Sequence, residues 1–244
     1  MALKRMALQL GMGTDIRGGD YTKAAVRAVS AAIRQNVLSV APAFGVPREQ
    51  MHVEVHIGVA RPELVDTKAV AACLPYGTVD VKVEQGGMDT PMDSSTPDKP
   101  EGTIMANAAV IVSLDLPDDV GKQATHFKRI ILEMGTGNDL YGEDYTKAAM
   151  RAVQDAIHHS SLNLFSSLGM DANAMQIELN LAAQEPEKIN LAAVAATLPY
   201  GQVTAKGVKG GLNVRNETTG KTSVIVNAGI IVRVPTGSFP QSQL

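Results

Sequence analysis

A single cysteine, no tryptophan and an aromatic content of only 4% set the first bounds on this 244-residue chain. One cysteine, Cys73, excludes an intramolecular disulfide and fits a reducing compartment. It lies in the alanine-rich run AVAACLPYG, where a buried helix-end thiol is the expected role. Scarce aromatic rings remove the platforms on which single-stranded nucleic acids stack. The net charge of −3 leaves no basic footprint, so no nucleic-acid partner is expected. Apolar runs are too short to span a bilayer, and MALKRMALQLGM lacks the layout of a secretion signal. The expectation is a cytoplasmic protein with no membrane partner. Hydrophobic residues, at 45%, are ample for a real core.

What is present is a duplication. GMGTDIRGGDYTKAAVRAV (Gly11 to Val29) returns as GTGNDLYGEDYTKAAMRAV (Gly135 to Val153). LPYG recurs at Leu74 and Leu198, and MANAAVIV (Met105 to Val112) is echoed by IVNAGIIV (Ile225 to Val232). Each copy opens with a short apolar strand, Met6 to Leu10 or Ile130 to Met134, running into a glycine-rich turn. A helix follows, with Asp20 or Asp144 at its N-cap and Ala24, Ala25, Ala28, Val29 and Ala32 at helical spacing. HVEVHIGV and QIELNLAA then alternate strictly, as strands covered on one face do. Short helices at 66–73 and 190–197 stop before proline. Strands at 77–83 with 102–114, and at 202–208 with 222–234, complete the units. The fold class is α/β (α+β), two tandem β-α-β-α-β-β repeats. The expected boundaries are 1–116 for the first unit, 117–128 for a linker, 129–236 for the second unit and 237–244 for a flexible tail.

This element order resembles the small unit of bacillus-type chorismate mutase and RidA proteins. It is also similar to the units of cyclic amide hydrolases that open cyanuric acid and barbiturate rings. That resemblance implies clefts between units and assembly around a threefold axis, hence a homo-oligomer, most simply a trimer of two-repeat chains. The motifs GMGTDIRG and GTGNDLYG resemble the GxGxDxHG signature of a small family of uncharacterised bacterial and plant proteins about one repeat long. Arg17 and Tyr141 fill the histidine position of that signature.

The repeated polar residues are the candidate site. Asp15, Lys23, Asp139 and Lys147 lie where a strand feeds a helix, and Gly13 and Gly137 are expected to let a ligand approach the backbone there. Arg17, Tyr141, Tyr76, Tyr200, Asn107 and Asn227 are further substrate-binding candidates. Lys82 and Lys206 are expected to polarise a carbonyl or transfer protons, with Glu54 and Glu178 as bases. His52, Glu54 and His56 share a strand face with ligand-like spacing, but Gln176 and Asn180 replace the histidines in the second copy, so no metal and no cofactor are expected. The sequence thus points to a small-molecule enzyme with its site in a cleft between repeat units, ring-opening hydrolysis of a cyclic amide or related carbonyl metabolite being the most concrete reaction. The alternative is a non-catalytic metabolite-binding or oligomeric assembly protein.

Overall fold

The computed structural model describes residues 1–91, 102–118, 120 and 126–236. The expected tail at 237–244 lies outside the described residues, as do residues 119 and 121–125 of the expected linker. The first half runs β1 (Ala2–Asp15), α1 (Tyr21–Arg34), β2 (Asn36–Leu38), α2 (Val40–Ala43), β3 (His52–Val59), α3 (Thr67–Ala71), β4 (Thr78–Gln85), β5 (Met88–Pro91) and β6 (Gly102–Leu116). The second half repeats it as β7 (His126–Asp139), α4 (Tyr145–His158), β8 (Ser160–Ser161), α5 (Leu164–Leu168), β9 (Gln176–Ala183), α6 (Leu191–Ala195), β10 (Gln202–Lys209), β11 (Leu212–Arg215) and β12 (Thr222–Thr236). Two mixed α+β units of the expected class result. Among the described residues no helix is long and apolar enough to cross a membrane.

Among the described residues, helices cover one face of each sheet and leave the other open. Asp20 caps α1 by accepting a hydrogen bond from the Lys23 amide at 2.9 Å, and Asp144 does the same for Lys147 in α4. The buried stripe Ala24, Ala28 and Ala32 faces the sheet, and its small side chains let α1 sit close against β1. Alternation in β3 and β6 turns Val53, Val55, Ile57, Val110 and Val112 towards that helix.

The first strand differs from its expected extent. β1 and β7 run straight through the glycine motif to Asp15 and Asp139, where a turn was expected. The cause is steric. A Cβ on Gly11 would stand 2.3 Å from the Ala28 carbonyl oxygen, and one on Gly13 would stand 2.2 Å from the Ala28 amide nitrogen. Gly135 and Gly137 meet Ala152 in the same way, at 2.3 and 2.2 Å. These glycines are seats for a helix within a strand. The expectation that Gly13 and Gly137 open the backbone to a ligand is therefore corrected: α1 and α4 already occupy that space.

The halves are knitted together by an exchange of short strands. The first sheet has the order β4-β3-β6-β1-β8 and the second β10-β9-β12-β7-β2, with β5 and β11 pairing β6 and β12. The segment after each long helix thus pairs with the first strand of the opposite half: Asn36 opposes Glu133, and Ser160 opposes Gln9. Backbone bonds from the Leu10 amide to His159 O (2.7 Å) and from the Met134 amide to Gln35 O (2.8 Å) extend the exchange symmetrically. One buried cluster accordingly mixes Met6, Val40, Phe44 and Leu114 with Ile131, Leu164, Leu179 and Val232.

Candidate functional site

The repeated turn after β1 is held by a buried carboxylate. Asp15 is 2% exposed; one of its oxygens lies 2.9 Å from Lys23 Nζ and 3.7 Å from Arg27, and the other accepts the Asp20 amide at 3.1 Å. The Lys23 ammonium, with the Asp20 amide, holds the Asp15 carboxyl below the usual carboxylate range. Asp139 repeats the pattern with Lys147 (3.0 Å), Arg151 (3.7 Å) and the amides of Gly142 (2.9 Å) and Asp144 (3.3 Å), and Lys147 is the main cause of its lowered pKa. Gly18 and Gly142 clear room for these carboxylates, since a Cβ there would stand 2.4 and 2.5 Å from an Asp oxygen. Asp15 and Asp139 thus spend their acceptor capacity inside the protein. Arg17 and Tyr141 sit exposed at the same turns, with Lys221 over the Tyr141 ring at 5.7 Å.

The expected catalytic groups lie on the other side of the sheet. Asp15 points with Gln9, Gly11 and Gly13 to the helix face, whereas Glu54, His56, Lys82 and Asn107 alternate onto the open face. Convergence of Asp15 with Lys82, or of Asp139 with Lys206, on one substrate is therefore not achieved within a chain; the sheet separates them. Lys82 Nζ lies 3.1 Å from Glu54, and His56 contacts Glu54 and Glu84. The His56 and Lys82 hydrogen bonds hold the Glu54 carboxyl low, which keeps it ionised and makes it a weak base at neutral pH. Glu178 is likewise lowered, by Lys206 at 3.0 Å, Asn180 and Arg233 at 3.3 Å, and Glu178, Lys206 and Arg233 line a shallow groove of about 390 Å³. His52 bonds Asp115 at 2.9 Å, so the two histidines serve different carboxylates. Asn227 accepts a hydrogen bond from Thr136 at 3.2 Å on this open face.

Other pockets lie away from these groups. Two repeat-related pockets open on the helix face where the halves exchange strands, of about 530 Å³ in the second half and about 280 Å³ in the first. Tyr200 and Tyr76, both expected to bind substrate, line them. The larger is walled by apolar residues including Phe165, Ile177 and Val232, and Glu133 lines it too. The smaller has Gln9 in the equivalent place. The two meet: Gln9 Nε2 donates to Glu133 Oε1 at 3.5 Å and to Ser160 Oγ at 3.3 Å, while Asn36 Nδ2 donates to Gln9 Oε1 at 2.9 Å. Glu133 is 5% exposed, and burial pushes its carboxyl up to about 7 against the pull of the Ser160 and Gln9 hydrogen bonds. Both residues interrupt an apolar strand run, MALQL and IILEM; a lone polar side chain there is costly when buried, and this was the signal that sequence reasoning passed over.

A raised carboxyl pKa fixes the sign of a pH effect. The folded state holds the Glu133 proton more tightly than the unfolded chain, so its carboxylate costs nothing below about pH 4.5. The penalty grows as pH rises through about 7, reaching about 3 kcal/mol above it. Glu133→Gln is expected to raise the melting temperature at pH 8 and leave it nearly unchanged at pH 4.5. Equal shifts at both pH values, read by calorimetry, would contradict a buried titrating carboxyl.

Comparison with known proteins agrees with the duplicated architecture. No curated protein matches the chain. One matching solved structure is a crystal structure described as an FtsZ-like protein of unknown function from Nostoc punctiforme PCC 73102; it is 37% identical over 48% of this chain and 99% of that one, with a TM-score of 0.44. Residues 5–112 and 129–232 both match the model of a family of conserved hypothetical proteins, Lin0512. With two matched segments that together take in the strands, the helices and both pockets, the chain belongs to the Lin0512 family of conserved hypothetical proteins.

Proposed function

We propose that the protein is a small-molecule enzyme whose chemistry is carried by Glu133 in the larger pocket, at the junction of the two repeat units. The observation that carries this reading is a buried carboxyl group lining an apolar pocket, where burial pushes its pKa up to about 7. The fold does not demand it, because Gln9 fills the equivalent position without an ionisable group. Such a residue, kept at a cost to stability, has the properties of a general acid–base.

The substrate that fits is small, largely apolar in outline and carries a carbonyl beside an N–H, as a cyclic amide does. Ionised, the Glu133 carboxylate accepts the ring N–H with one oxygen and a hydrogen of water with the other. In ring-opening hydrolysis, ionised Glu133 takes a proton from water as the water oxygen bonds to the carbonyl carbon. The protonated acid then returns the proton to the amide nitrogen as the C–N bond breaks. The similarity of element order to cyclic amide hydrolases supports the reaction class. Their serine–lysine pair has no repeated counterpart here, so the attack falls to water. In this reading the cytoplasmic protein is a homo-oligomer, a trimer being the simplest, joined through the open sheet faces where Leu10, Met12 and Met134 are exposed. Lys82 with Glu54, and Lys206 with Glu178, reach a substrate only where a neighbouring chain completes a cleft.

A binding-only role is the second reading, and the first-half pocket favours it, since it keeps the cavity without the acid. Incubating the protein with hydantoin, dihydrouracil and glutarimide and following loss of the ring amide separates the two. Turnover with an inflection near pH 7, reduced about 100-fold or more in Glu133→Gln, is the expected result. Turnover that survives this substitution would overturn the catalytic assignment; ring amides that bind in the pocket without reacting would establish the binding role.

A further inference from the structure

The two pockets share a shape but not a charge. In the first half, Arg48 stands at the pocket edge with its guanidinium over the Tyr76 ring, 5.4 Å from the centroid. No carboxylate among the described residues pairs with it. The equivalent residue of the second half is Ala172, which lines the larger pocket. The first-half pocket therefore carries a cation and an amide where its twin carries an acid and no cation.

We infer that the first-half pocket is a separate ligand site, selective for small monocarboxylates with an apolar body. The walls, Val53 and Val110 among them, are hydrocarbon, so the ligand's body belongs inside. Gln9 already spends its amide hydrogens on Glu133 and Ser160, and Asn36 spends its own on Gln9 Oε1 and Ala32 O, which leaves no free amide donor to receive an anion there. The carboxylate belongs at the edge, on Arg48. A guanidinium offers two parallel N–H donors to a carboxylate, and this one packs over the ring of Tyr76, which also lines the pocket. At about 280 Å³ the cavity suits one ring or a short branched chain. This site is independent of the chemistry assigned to Glu133.

The test compares phenylacetate with its neutral counterpart phenylacetamide on the full chain, by calorimetry and by methyl NMR. Phenylacetate is expected to bind about tenfold more tightly than the amide, as a charge-assisted hydrogen bond to Arg48 requires. Its shifts should fall on the methyls of Val53 and Val110 and spare Ile177 and Ile230 of the other pocket. Arg48→Ala, which installs the residue of the second half, should bring the two ligands to equal affinity without altering the melting temperature. Equal binding of both ligands by the native protein, an unchanged preference in Arg48→Ala, shifts confined to Ile177 and Ile230, or no binding of phenylacetate at millimolar concentration would each overturn the assignment. Loss of ring-amide turnover in Glu133→Gln bears on the other pocket and leaves this result unaffected.

Discussion

Gly13→Ala is expected to destabilise the protein by on the order of 3 kcal/mol or more, the upper part of the range for overpacking a filled core. A methyl group there would meet backbone on both sides, 2.2 Å from the Ala28 nitrogen and 2.3 Å from the Ala24 oxygen. Backbone cannot rotate away as a side chain can, so α1 must lift from the sheet along its whole alanine stripe. For a chain of this size the change corresponds to a fall in melting temperature of roughly 10 °C. Gly137→Ala should cost a similar amount beneath α4, and the double variant should be nearly additive because each glycine is packed under its own helix. Gly19→Ala is the contrast: its φ of +64° carries a modest strain, and nothing lies within 4 Å of the added carbon. The comparison by thermal unfolding discriminates two roles for the motif. A ligand-approach glycine would lose binding and keep stability; a wild-type melting temperature in Gly13→Ala would remove the helix-seat explanation.

That prediction also marks where the sequence was legible. The alternation of HVEVHIGV predicts β3 with its correct covered face, because Val53, Val55, Ile57 and Val59 all pack under α1 or beside it. Asp20 and Asp144 are read correctly as caps for the same reason: their effect is local, within three residues of the chain. GMGTD misleads because glycines usually signal turns. Here they signal the nearness of another element, and that information resides in the alanines of α1, a helical turn or more away in sequence. The parity of Asp15 against Lys82 was available too, but without the long extent of β1 nothing tied the two alternations to one sheet. The exchanged strands could not be read at all. NVL and SS are two or three residues long, carry no pattern, and take their meaning from partners in the other half. The pockets, which form where those strands cross, were hidden with them.

Expressed as two chains, 1–120 and 121–244, the halves are expected to lose independent stability and to recombine one to one when mixed. Each half alone leaves the edge of its first strand unpaired, where the partner's short strand belongs. It also exposes core residues such as Met6, Phe44 and Leu114, or Ile131 and Leu179, that lie in a single buried cluster. Self-pairing is the obvious substitute, since the repeats are alike. The residues at the junction make the two self-pairings unequal. A pair of first halves would oppose Gln9 to Gln9, two amides that can bond each other. A pair of second halves would oppose Glu133 to Glu133 at about the 3.5 Å now spanned by the mixed pair. Two ionised carboxylates at that separation repel by roughly 5 kcal/mol at an effective dielectric of about 20, so one must stay protonated. Native mass spectrometry should therefore find the 121–244 chain self-paired at pH 5 and dissociating or aggregating at pH 8, while the mixture gives the heterodimer at both. Gln9→Glu in the intact chain should reproduce the same alkaline weakness. Stable monomeric halves with cooperative melting would show that the strand exchange does not hold the molecule together. A 121–244 pair indifferent to pH would show that Glu133 does not sit on the axis relating the repeats. The choice of an amide on one side and an acid on the other thus does two things at once: it makes the halves prefer each other, and it leaves a single carboxyl free to titrate in the larger pocket.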